Sequence, residues 1–488
     1  MKKSLKLLTI SALAVGMIVA GAGCGGGGNE SAEGGTITWY MAKPVNDMSH
    51  QSLVEEAANK IIEPAIGRKL HFEFIDRGNW DQKMNVIIQS GEEFDLSFDA
   101  GTRFTTNVAN NAYIDLTPYL DKAPDIKAKL NDFAWEAVTF DGKGIMAVPS
   151  QTNMTPYSSI AIKKDIADKY NIDYENLGTS FEELEPILKT IKENEPNMYP
   201  IIAAANSSIP SPQSHDFLKT TLDAMRFDVK ADKFVSFLED ADELKRFETT
   251  YDWYQKGYIA KDAASKTEVN SEIKSGRYAV FGGRRSAAKT SNLYGFECVE
   301  SKPSFGVICR ENVTNSLTAV SRTSKQPEKC IELLNLIWKD TDLSNLLAYG
   351  VEGTDWVDIT KEGAPYKTIE PKSGNEVKWS VWHNWLGPLW DQWDSVWNSR
   401  ESLEEMQQLN NTAEVSTILA FVPDVSEFST EIAMINSAYA EVTPVFNTGS
   451  MPDYDAYFAE VQKKFEEAGI DKVIDAVNKQ YQEWKSKQ

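Results

Sequence analysis

The chain has few of the residues that carry metal-dependent or thiol chemistry. Its 488 residues include four cysteines and four histidines, and none of the histidines stands at a metal-ligand spacing. The Gly-x-Ser-x-Gly pattern of a serine nucleophile and the Gly-x-x-x-x-Gly-Lys-Ser/Thr loop of an ATPase are also missing. We therefore expect no metal, no cofactor and no ATP hydrolysis, and we expect the protein not to be an enzyme.

Positive charge is scarce as well. Lys and Arg number 50 against 72 Asp and Glu, which gives a formal net charge of −22. A surface that binds nucleic acid needs an excess of basic groups opposite the phosphates, so nucleic acid is excluded as a partner. The 42% of hydrophobic residues is ordinary for a soluble protein, and the length allows about two to four domains.

Long hydrophobic runs are confined to the N-terminus. Residues 1–23 combine Lys2, Lys3 and Lys6 with an apolar run over residues 7–22, which is typical of a signal peptide and is short for a membrane span. No later run is long and apolar enough to cross a bilayer. We therefore expect any membrane attachment to be through a lipid only.

Cys24 follows Gly21-Ala22-Gly23 and precedes four glycines. This pattern resembles a bacterial lipobox, although Gly21 stands where Leu is usual, and it predicts lipidation of Cys24. Residues 24–35 would then form a flexible tether that holds the protein on the outer side of the cell membrane. An ordinary secretory signal with an incidental cysteine is the alternative.

Three further cysteines follow. The spacing of Cys298 and Cys309 would allow a bridge between neighbouring strands, but sequence does not decide the pairing. Cys330 falls on the apolar face of a predicted helix and is expected to be a buried thiol.

Tryptophan is what the sequence has in excess. Six of its thirteen tryptophans lie in residues 379–397, interleaved with His383, Asn384, Asp391, Gln392 and Asp394. Flat apolar rings beside amides and carboxylates suit a sugar, whose C–H face stacks on an indole while its hydroxyls need fixed partners.

The spacing divides this aromatic stretch. Trp390, Trp393 and Trp397 follow the i, i+3, i+7 spacing of one helix face, which predicts a helix packed into a core. Trp382 and Trp385 precede a Gly-Pro turn signal, so they could line a cleft or be core residues.

Alternating elements open the first half of the chain. Residues 36–41, 70–75 and 94–98 predict strands, and residues 49–63 and 80–89 predict helices between them, the first ending at Pro64. Such an order implies a mostly parallel sheet whose ligands bind beyond the carboxyl ends of the strands. Trp80 and Asp99 stand there, and Asp99 could accept a hydrogen bond from a sugar hydroxyl or cap the next helix.

A second, helix-rich lobe is predicted from about residue 157. Ser180 and Glu183 have the spacing of a capping box, and Pro327 suits the first turn of another helix. Gly-Gly at 282–283 permits close backbone approach, and the arginines that follow, Arg284 and Arg285, could face a cleft or the solvent.

Several segments together resemble extracellular solute-binding lipoproteins of bacterial ABC importers, in their carbohydrate-associated, family 1-like branch. The resemblance runs over the whole chain. The segments are the lipobox and tether, Gly-Ile-Met-Ala-Val-Pro (144–149), Ile-Lys-Lys-Asp (162–165), Lys-Glu-Asn-Glu-Pro (192–196), Ser-Gly-Arg-Tyr-Ala-Val (275–280), Tyr-Gly-Val-Glu-Gly (349–353) and Ala-Gly-Ile-Asp-Lys-Val (468–473).

The resemblance implies an α/β, two-lobed fold of the periplasmic-binding-protein-like type II class, with a hinge. We expect an N-terminal lobe of residues 36–153 and 311–346 and a C-terminal lobe of residues 154–310 and 347–488. The chain would cross the hinge near residues 152–157, 309–316 and 346–350.

The resemblance also implies a carbohydrate ligand between the lobes, ABC permease subunits as partners, and a monomer. It points to a cleft lined by Trp39, Tyr40, Lys43, Asn153, Tyr157, Arg284 and Trp385. Asn384 keeps the branch's Gly-Asn-Gln pattern, whereas His383 and Trp385 depart from it, so the ligand could differ from that of better-known relatives. We expect Trp385 to be the main contact and Trp382 the second.

Two other functions stay open from sequence. The protein could bind a peptide or another solute, or it could be a secreted glycoside-active enzyme. Asp391 and Asp394 argue little for the enzyme, because two acids on one helix face do not oppose each other across a sugar.

Overall fold

The computed structural model describes residues 35–395 and 398–488. The predictions for the signal peptide, Cys24 and the tether, and that for Trp397, therefore lie outside the described residues.

The strands are short apart from the first two. In chain order they are β1 Gly35–Ala42, β2 Arg68–Ile75, β3 Leu96–Asp99, β4 Thr139–Phe140, β5 Gly144–Ile145, β6 Val148–Pro149, β7 Tyr157–Ser158, β8 Ile160–Lys163, β9 Tyr199–Ile201, β10 Phe217–Lys219, β11 Met225–Asp228, β12 Lys233–Ser236, β13 Tyr278–Gly282, β14 Cys298–Glu300, β15 Ser304–Phe305, β16 Leu317–Val320, β17 Trp356–Asp358, β18 Thr368–Pro371 and β19 Asp394–Ser395.

The helices dominate the second half of the chain. They are α1 Gln51–Ile66, α2 Trp80–Ser90, α3 Gly101–Ala109, α4 Pro124–Lys129, α5 Asp132–Ala137, α6 Lys164–Lys169, α7 Phe181–Asn194, α8 Ala241–Gln255, α9 Val269–Lys274, α10 Ala287–Tyr294, α11 Arg310–Val313, α12 Pro327–Lys339, α13 Thr341–Tyr349, α14 His383–Leu386, α15 Arg400–Thr412, α16 Ser429–Thr448, α17 Tyr454–Glu467 and α18 Ile470–Lys485.

The N-terminal lobe is built on a five-stranded sheet in the order β2-β1-β3-β16-β6. The first three strands are parallel, which confirms the prediction, and β16 returns from far along the chain to pair antiparallel with β3. The carboxyl ends of β1, β2 and β3 therefore meet at one edge of the sheet.

Helix α1 is longer than predicted. It continues past Pro64 and ends at Gly67, whose φ of 69° lies in the left-handed region that glycine adopts without strain. Val54, Ala58 and Ile62 form its buried face against the sheet. Pro64 lies in the last turn of the helix, three residues before the glycine cap.

The described residues of the C-terminal lobe form three hydrophobic clusters. Two pack against the sheet β14-β8-β13-β9, and the third joins β10 to β12 with the terminal helices α16, α17 and α18. The predicted capping box begins α7, because Ser180 Oγ accepts a hydrogen bond from the Glu183 amide at 3.4 Å. These lobes and the hinge between them confirm the predicted two-lobed α/β fold.

The tryptophan-rich stretch packs differently from the prediction. Trp379, Trp385 and Leu386 belong to the same hydrophobic core as β1 to β3, and Trp379 Nε1 donates to the Leu347 carbonyl at 2.9 Å. The stretch therefore belongs to the N-terminal lobe, and the expected assignment of residues from 347 onward to the C-terminal lobe is wrong for this part.

The helix predicted through Trp390 and Trp393 is also wrong. A 3-10 turn, Leu389–Asp391, is followed by the extended strand β19. The Trp390 amide donates to Gln151 Oε1 at 3.1 Å, and the Trp393 amide donates to Asn345 Oδ1 at 2.9 Å. Side chains from elsewhere in the lobe thus accept hydrogen bonds from these amides. In a helix the same amides would donate to carbonyls of the helix itself.

The hinge has three crossings. Residues 150–156 lead from β6 to β7, and the chain returns near Ile308, close to the predicted positions. The third crossing lies near Glu414 and Ser416, not near residues 346–350, because Ile308 N donates to Glu414 O at 2.8 Å and Ser416 N donates to Ile308 O at 2.9 Å. The difference follows from the packing of residues 347–395 on the N-terminal lobe.

Among the described residues, Cys298, Cys309 and Cys330 are free and buried. Burial raises the pKa of Cys298 to about 11 and that of Cys309 to about 12. The described part of the chain holds no helix with the length and apolar character needed to cross a membrane.

Candidate ligand-binding site

An aromatic stack stands at the carboxyl edge of the N-terminal sheet. The Trp385 ring lies 4.6 Å from Phe98 at the end of β3 and 4.9 Å from Trp382, measured between centroids. Trp382 is 43% exposed whereas Trp385 is 7% exposed. Trp382 therefore forms the accessible surface of the stack, and Trp385 supports it from the core.

Arg77 covers this stack from the turn that follows β2. Its guanidinium carbon is 5.0 Å from the Trp382 ring centroid and 5.4 Å from that of Trp385, within the range of a cation–π contact. Arg77 is exposed, so its N–H groups can also reach a ligand placed on the indole.

Trp80 lies beside the stack, with its ring tilted by 56° to that of Phe98. It begins α2, is 5% exposed, packs 6.4 Å from Phe98, and lies 5.0 Å from the guanidinium carbon of Arg103. Its indole N–H has no hydrogen-bond partner among the described residues. The structure thus places Trp80 under the edge of the site, not on its surface.

Asp99 is fully buried and its oxygens are occupied. Oδ1 accepts from the Ala100 amide and from Arg103 Nε, each at 2.7 Å. Oδ2 accepts from Asn107 Nδ2 at 2.8 Å and from the Tyr113 hydroxyl at 2.5 Å. These four bonds use the acceptor positions of the carboxylate, which corrects both expectations for Asp99: it organises the lobe internally.

The end of β1 contributes less than expected. Trp39 is fully buried against Phe72, at 5.6 Å between centroids, so it is a core residue and the expectation that it lines the cleft is wrong. Tyr40 packs on Phe94, and its hydroxyl donates to Glu92 at 3.3 Å. Burial, with the Glu92 carboxylate nearby, raises the pKa of Tyr40 to about 12. Lys43 lies 3.8 Å from Asp76 at the sheet edge.

Asn384 and His383 begin the short helix α14 next to Trp385. The Asn384 side chain is partly exposed and has no hydrogen bond to the described residues, while its carbonyl accepts from Ser316 Oγ. His383 is buried, with Nε2 3.1 Å from Asn345 Oδ1. Burial lowers the pKa of His383 to about 3, so the ring is neutral and belongs to the core.

The first crossing carries the next two predicted residues. Asn153 Oδ1 is buried without a hydrogen-bond partner among the described residues. On either side of it, Asn410 of α15 accepts from the Met154 amide at 3.0 Å and donates to the Thr152 carbonyl at 2.7 Å. Asn410 therefore fixes the backbone of this crossing. Tyr157 follows at the start of β7.

The Tyr157 ring makes its cation–π contact with Arg285, and the charges of Arg284 and Arg285 both act on the Tyr157 hydroxyl. The Arg285 guanidinium carbon is 5.5 Å from the Tyr157 ring and 5.7 Å from the Phe305 ring. Arg284 is exposed and donates to Asn270 at 3.3 Å. Burial, and then the charge of Arg285, lowers the pKa of Lys289 on α10. Tyr157, Phe305 and Arg285 thus form one cluster on the C-terminal lobe.

The residues form two groups, one on each lobe. Trp382, Trp385, Asn384 and Arg77 lie on the N-terminal lobe, and Tyr157, Arg284 and Arg285 lie on the C-terminal lobe. Over residues 35–395 and 398–488, no ring contact or hydrogen bond joins Trp382 or Arg77 directly to Tyr157 or Arg285.

Comparison with known proteins gives relatives over the full length. A carbohydrate ABC transporter substrate-binding protein of Streptococcus pneumoniae serotype 4 (strain ATCC BAA-334 / TIGR4) is 28% identical, with 99% of each chain covered. The crystal structure of the N-glycan transport solute binding protein NgtS from Streptococcus pneumoniae matches at a TM-score of 0.80 and 26% identity, covering 93% of this chain and all of that one.

The chain is thus similar over its full length to substrate-binding and solute-binding proteins of transporters.

Other comparisons show the same similarity. NgtS in complex with Man5GlcNAc matches at a TM-score of 0.69, with 26% identity and 93% and 99% coverage. An extracellular solute-binding protein from Bifidobacterium longum subsp. infantis, at 16% identity and a TM-score of 0.65 with 92% and 98% coverage, shares the fold. A family described as a domain of unknown function (DUF3502) matches residues 417–486.

The sequence did not indicate three residues of the site, which are Arg77, Phe98 and Asn410. Arg77 and Phe98 stand at the carboxyl ends of β2 and β3, where the sheet rule already pointed, so this signal could have found them. Asn410 lies in an ordinary polar helix sequence, and nothing in that pattern indicates the hinge.

Proposed function

We propose that this protein captures an oligosaccharide between its two lobes and delivers it to the membrane subunits of an ABC importer. The observation that carries the proposal is the exposed Trp382 ring, supported by Trp385 and flanked by Arg77, at the carboxyl edge of the parallel sheet. A sugar ring can place its C–H face on the Trp382 indole.

Polar groups beside the stack can form the hydrogen bonds that the hydroxyls of a sugar need. The Asn384 amide offers two donors and an acceptor, and Arg77 offers donors for hydroxyl oxygens. A site that hydrogen-bonds hydroxyls rejects analogues without them, because its polar groups would then be left unpaired. Trp382, Asn384 and Arg77 are therefore the proposed contacts on the N-terminal lobe.

The C-terminal lobe would complete the site when the hinge closes. Tyr157 and Arg284 face the cleft in this proposal, with Arg285 holding Tyr157 in place. Contacts made only in the closed state shift the population of the protein toward closure. The TM-score is 0.80 to NgtS, 0.72 to its complex with Man1GlcNAc and 0.69 to that with Man5GlcNAc, so the chain is less similar to the two glycan complexes.

The relatives suggest which sugars to test first. NgtS is an N-glycan transport protein that has been crystallised with Man1GlcNAc and Man5GlcNAc. We propose mannose- and N-acetylglucosamine-containing oligosaccharides as the first candidates, and a peptide or another solute as the alternative.

Catalysis is not part of the proposal. Asp391 lies 2.6 Å from the Lys129 ammonium, and Asp394 lies 3.5 Å from Arg400. Both carboxylates of the aromatic stretch are thus engaged in ion pairs, whereas a glycosidase needs two carboxyl groups that face each other across a sugar. The binding role needs neither metal nor cofactor.

The proposed cellular location follows from the similarity to solute-binding proteins. We propose an extracytoplasmic monomer that is held to the cell membrane by a lipid on Cys24. The permease would be its membrane partner and would receive the sugar from the closed form.

Thermal-shift measurement tests the function. Residues 35–488 would be screened against Man1GlcNAc, Man5GlcNAc, unrelated neutral oligosaccharides and a peptide pool. A ligand that binds the folded state alone raises the melting temperature, and we expect this with an oligosaccharide and with no release of sugar product. A rise with peptides alone would favour the alternative ligand, and release of reducing sugar would show an enzyme.

A further inference from the structure

Tyr366 is an exposed aromatic side chain outside the site described above. It is 44% exposed and lies in the connection between β17 and β18. A single exposed aromatic residue is common on protein surfaces. The surroundings of this ring distinguish it.

Arg400 supports one face of the Tyr366 ring. The Arg400 guanidinium carbon is 4.6 Å from the ring centroid. The same guanidinium donates to the Trp390 carbonyl at 2.7 Å and to the Gln392 carbonyl at 2.6 Å, so it is itself fixed by the aromatic stretch. The ring thus rests on an immobilised cation.

Further contacts fix the hydroxyl of Tyr366 and the side chain of the next residue. The Tyr366 hydroxyl lies 3.5 Å from Glu404 Oε1 on α15. The ammonium of Lys367, the next residue, lies 4.4 Å from the Trp356 ring and 4.1 Å from the Trp393 ring. Both sides of the connection are anchored, so little conformational freedom would be lost when a ligand stacks on the exposed side.

The position of Tyr366 connects it with both walls of the cleft. Glu405, next to Glu404 on α15, pairs with Arg285 of the C-terminal lobe at 3.1 Å. On the other side, Arg400 ties Tyr366 to Trp390, which lies in the stretch that carries Trp382. The exposed ring therefore lies beside α15, and we infer from these links that it stands at the rim of the proposed site.

We propose that Tyr366 is a stacking subsite for an outer, neutral sugar ring of the glycan whose inner residues lie on Trp382. The inference rests on the proposed function and extends it to chain length. A short glycan ends before this rim and leaves Tyr366 uncovered, whereas a longer glycan reaches it. Tyr366 then selects longer oligosaccharides over short ones.

Calorimetric titration of residues 35–488 with Man1GlcNAc and Man5GlcNAc tests this proposal. Tyr366→Ala is expected to weaken Man5GlcNAc about five- to tenfold, because one aromatic stacking contact is lost, and to leave the Man1GlcNAc affinity within about twofold. Tyr366→Phe keeps the ring and should keep the wild-type ratio. Val357→Ala, at a residue 40% exposed on β17, is the matched control and should change neither affinity.

Equal loss for both glycans in Tyr366→Ala, or no loss for either, would overturn the subsite. Failure of the wild-type protein to bind any oligosaccharide would instead overturn the proposed function, and the subsite with it. Melting curves of the unliganded variants separate either result from misfolding, because Tyr366 and Val357 are both exposed and their replacement should leave the melting temperature nearly unchanged.

Discussion

The Glu405 carboxylate on α15 lies 3.1 Å from the Arg285 guanidinium on the loop after β13. Arg285 has a φ of 65°, an uncommon value for a residue with a side chain, and its guanidinium contacts the rings of both Tyr157 and Phe305. Because Arg400 and Asn410 tie the same helix to the N-terminal lobe and the first crossing, α15 connects the two lobes beside the hinge.

The two partners of this ion pair should differ in their effect on stability. Arg285→Ala removes a guanidinium packed against two rings and should lower the free energy of unfolding by about 1–3 kcal/mol. Glu405→Gln changes a side chain that is 60% exposed and should cost about 1 kcal/mol or less. Urea denaturation of both variants measures the difference, and equal losses would show that the ion pair outweighs the packing.

Trp382 and Trp385 are expected to separate ligand binding from folding. Trp385→Ala opens a cavity beside Phe98 and should cost about 3–5 kcal/mol of stability, since the side chain is buried. Trp382→Ala removes an exposed ring and should cost about 1 kcal/mol or less. Chemical denaturation without ligand checks this order, and a greater loss in Trp382→Ala would contradict the description of the stack.

Much of the fold could be predicted from local pattern. The strands and helices of the first half, the capping box at Ser180 and the helix after Pro327 follow from side-chain periodicity and caps, which the chain carries locally. The third hinge crossing could not be predicted in this way. It depends on residues 347–395 packing against the N-terminal sheet, which is a long-range choice.

The candidate site also divides into features that local sequence predicts and features that only long-range contacts decide. Position at a strand end indicated Asp99 and Trp80, but it could not indicate that Arg103, Asn107 and Tyr113 converge on Asp99 or that Trp80 lies under Phe98. Spacing predicted a helix at Trp390 and Trp393. Their amides instead donate hydrogen bonds to the side chains of Gln151 and Asn345. Contacts between distant segments override local propensity at these positions.

Asp99 should be essential to the stability of the N-terminal lobe. Asp99→Asn leaves Arg103 without its nearest carboxylate and turns an amide N–H toward groups that donate hydrogen bonds. The expected cost is about 3–5 kcal/mol, as for a broken buried pair. Thermal unfolding measures it, and Asp81→Asn is the control because Asp81 is the exposed partner of the same arginine, at 3.2 Å. A similar small loss in both variants would contradict the assignment.

His383 should make the protein less stable in mild acid. Its pKa is lowered to about 3 in the folded state by burial, whereas an unfolded chain has the ordinary value of 6.5. The unfolded state therefore binds a proton first, and this contribution to stability is lost as the pH falls from about 6.5 toward 3. The loss by pH 5 should be about 2 kcal/mol. His383→Gln should show a pH dependence smaller by that amount, and an unchanged pH dependence would contradict the burial of His383.

Tryptophan fluorescence titration with Man5GlcNAc tests the central claim most directly, using residues 35–488 as wild type, Trp382→Ala and the exposed control Val357→Ala. We predict saturable changes for the wild type and the control. In Trp382→Ala we predict at least tenfold weaker binding, about 1.4 kcal/mol, with an unchanged melting temperature for the unliganded protein. Wild-type affinity in Trp382→Ala would contradict the claim that this ring is the sugar platform.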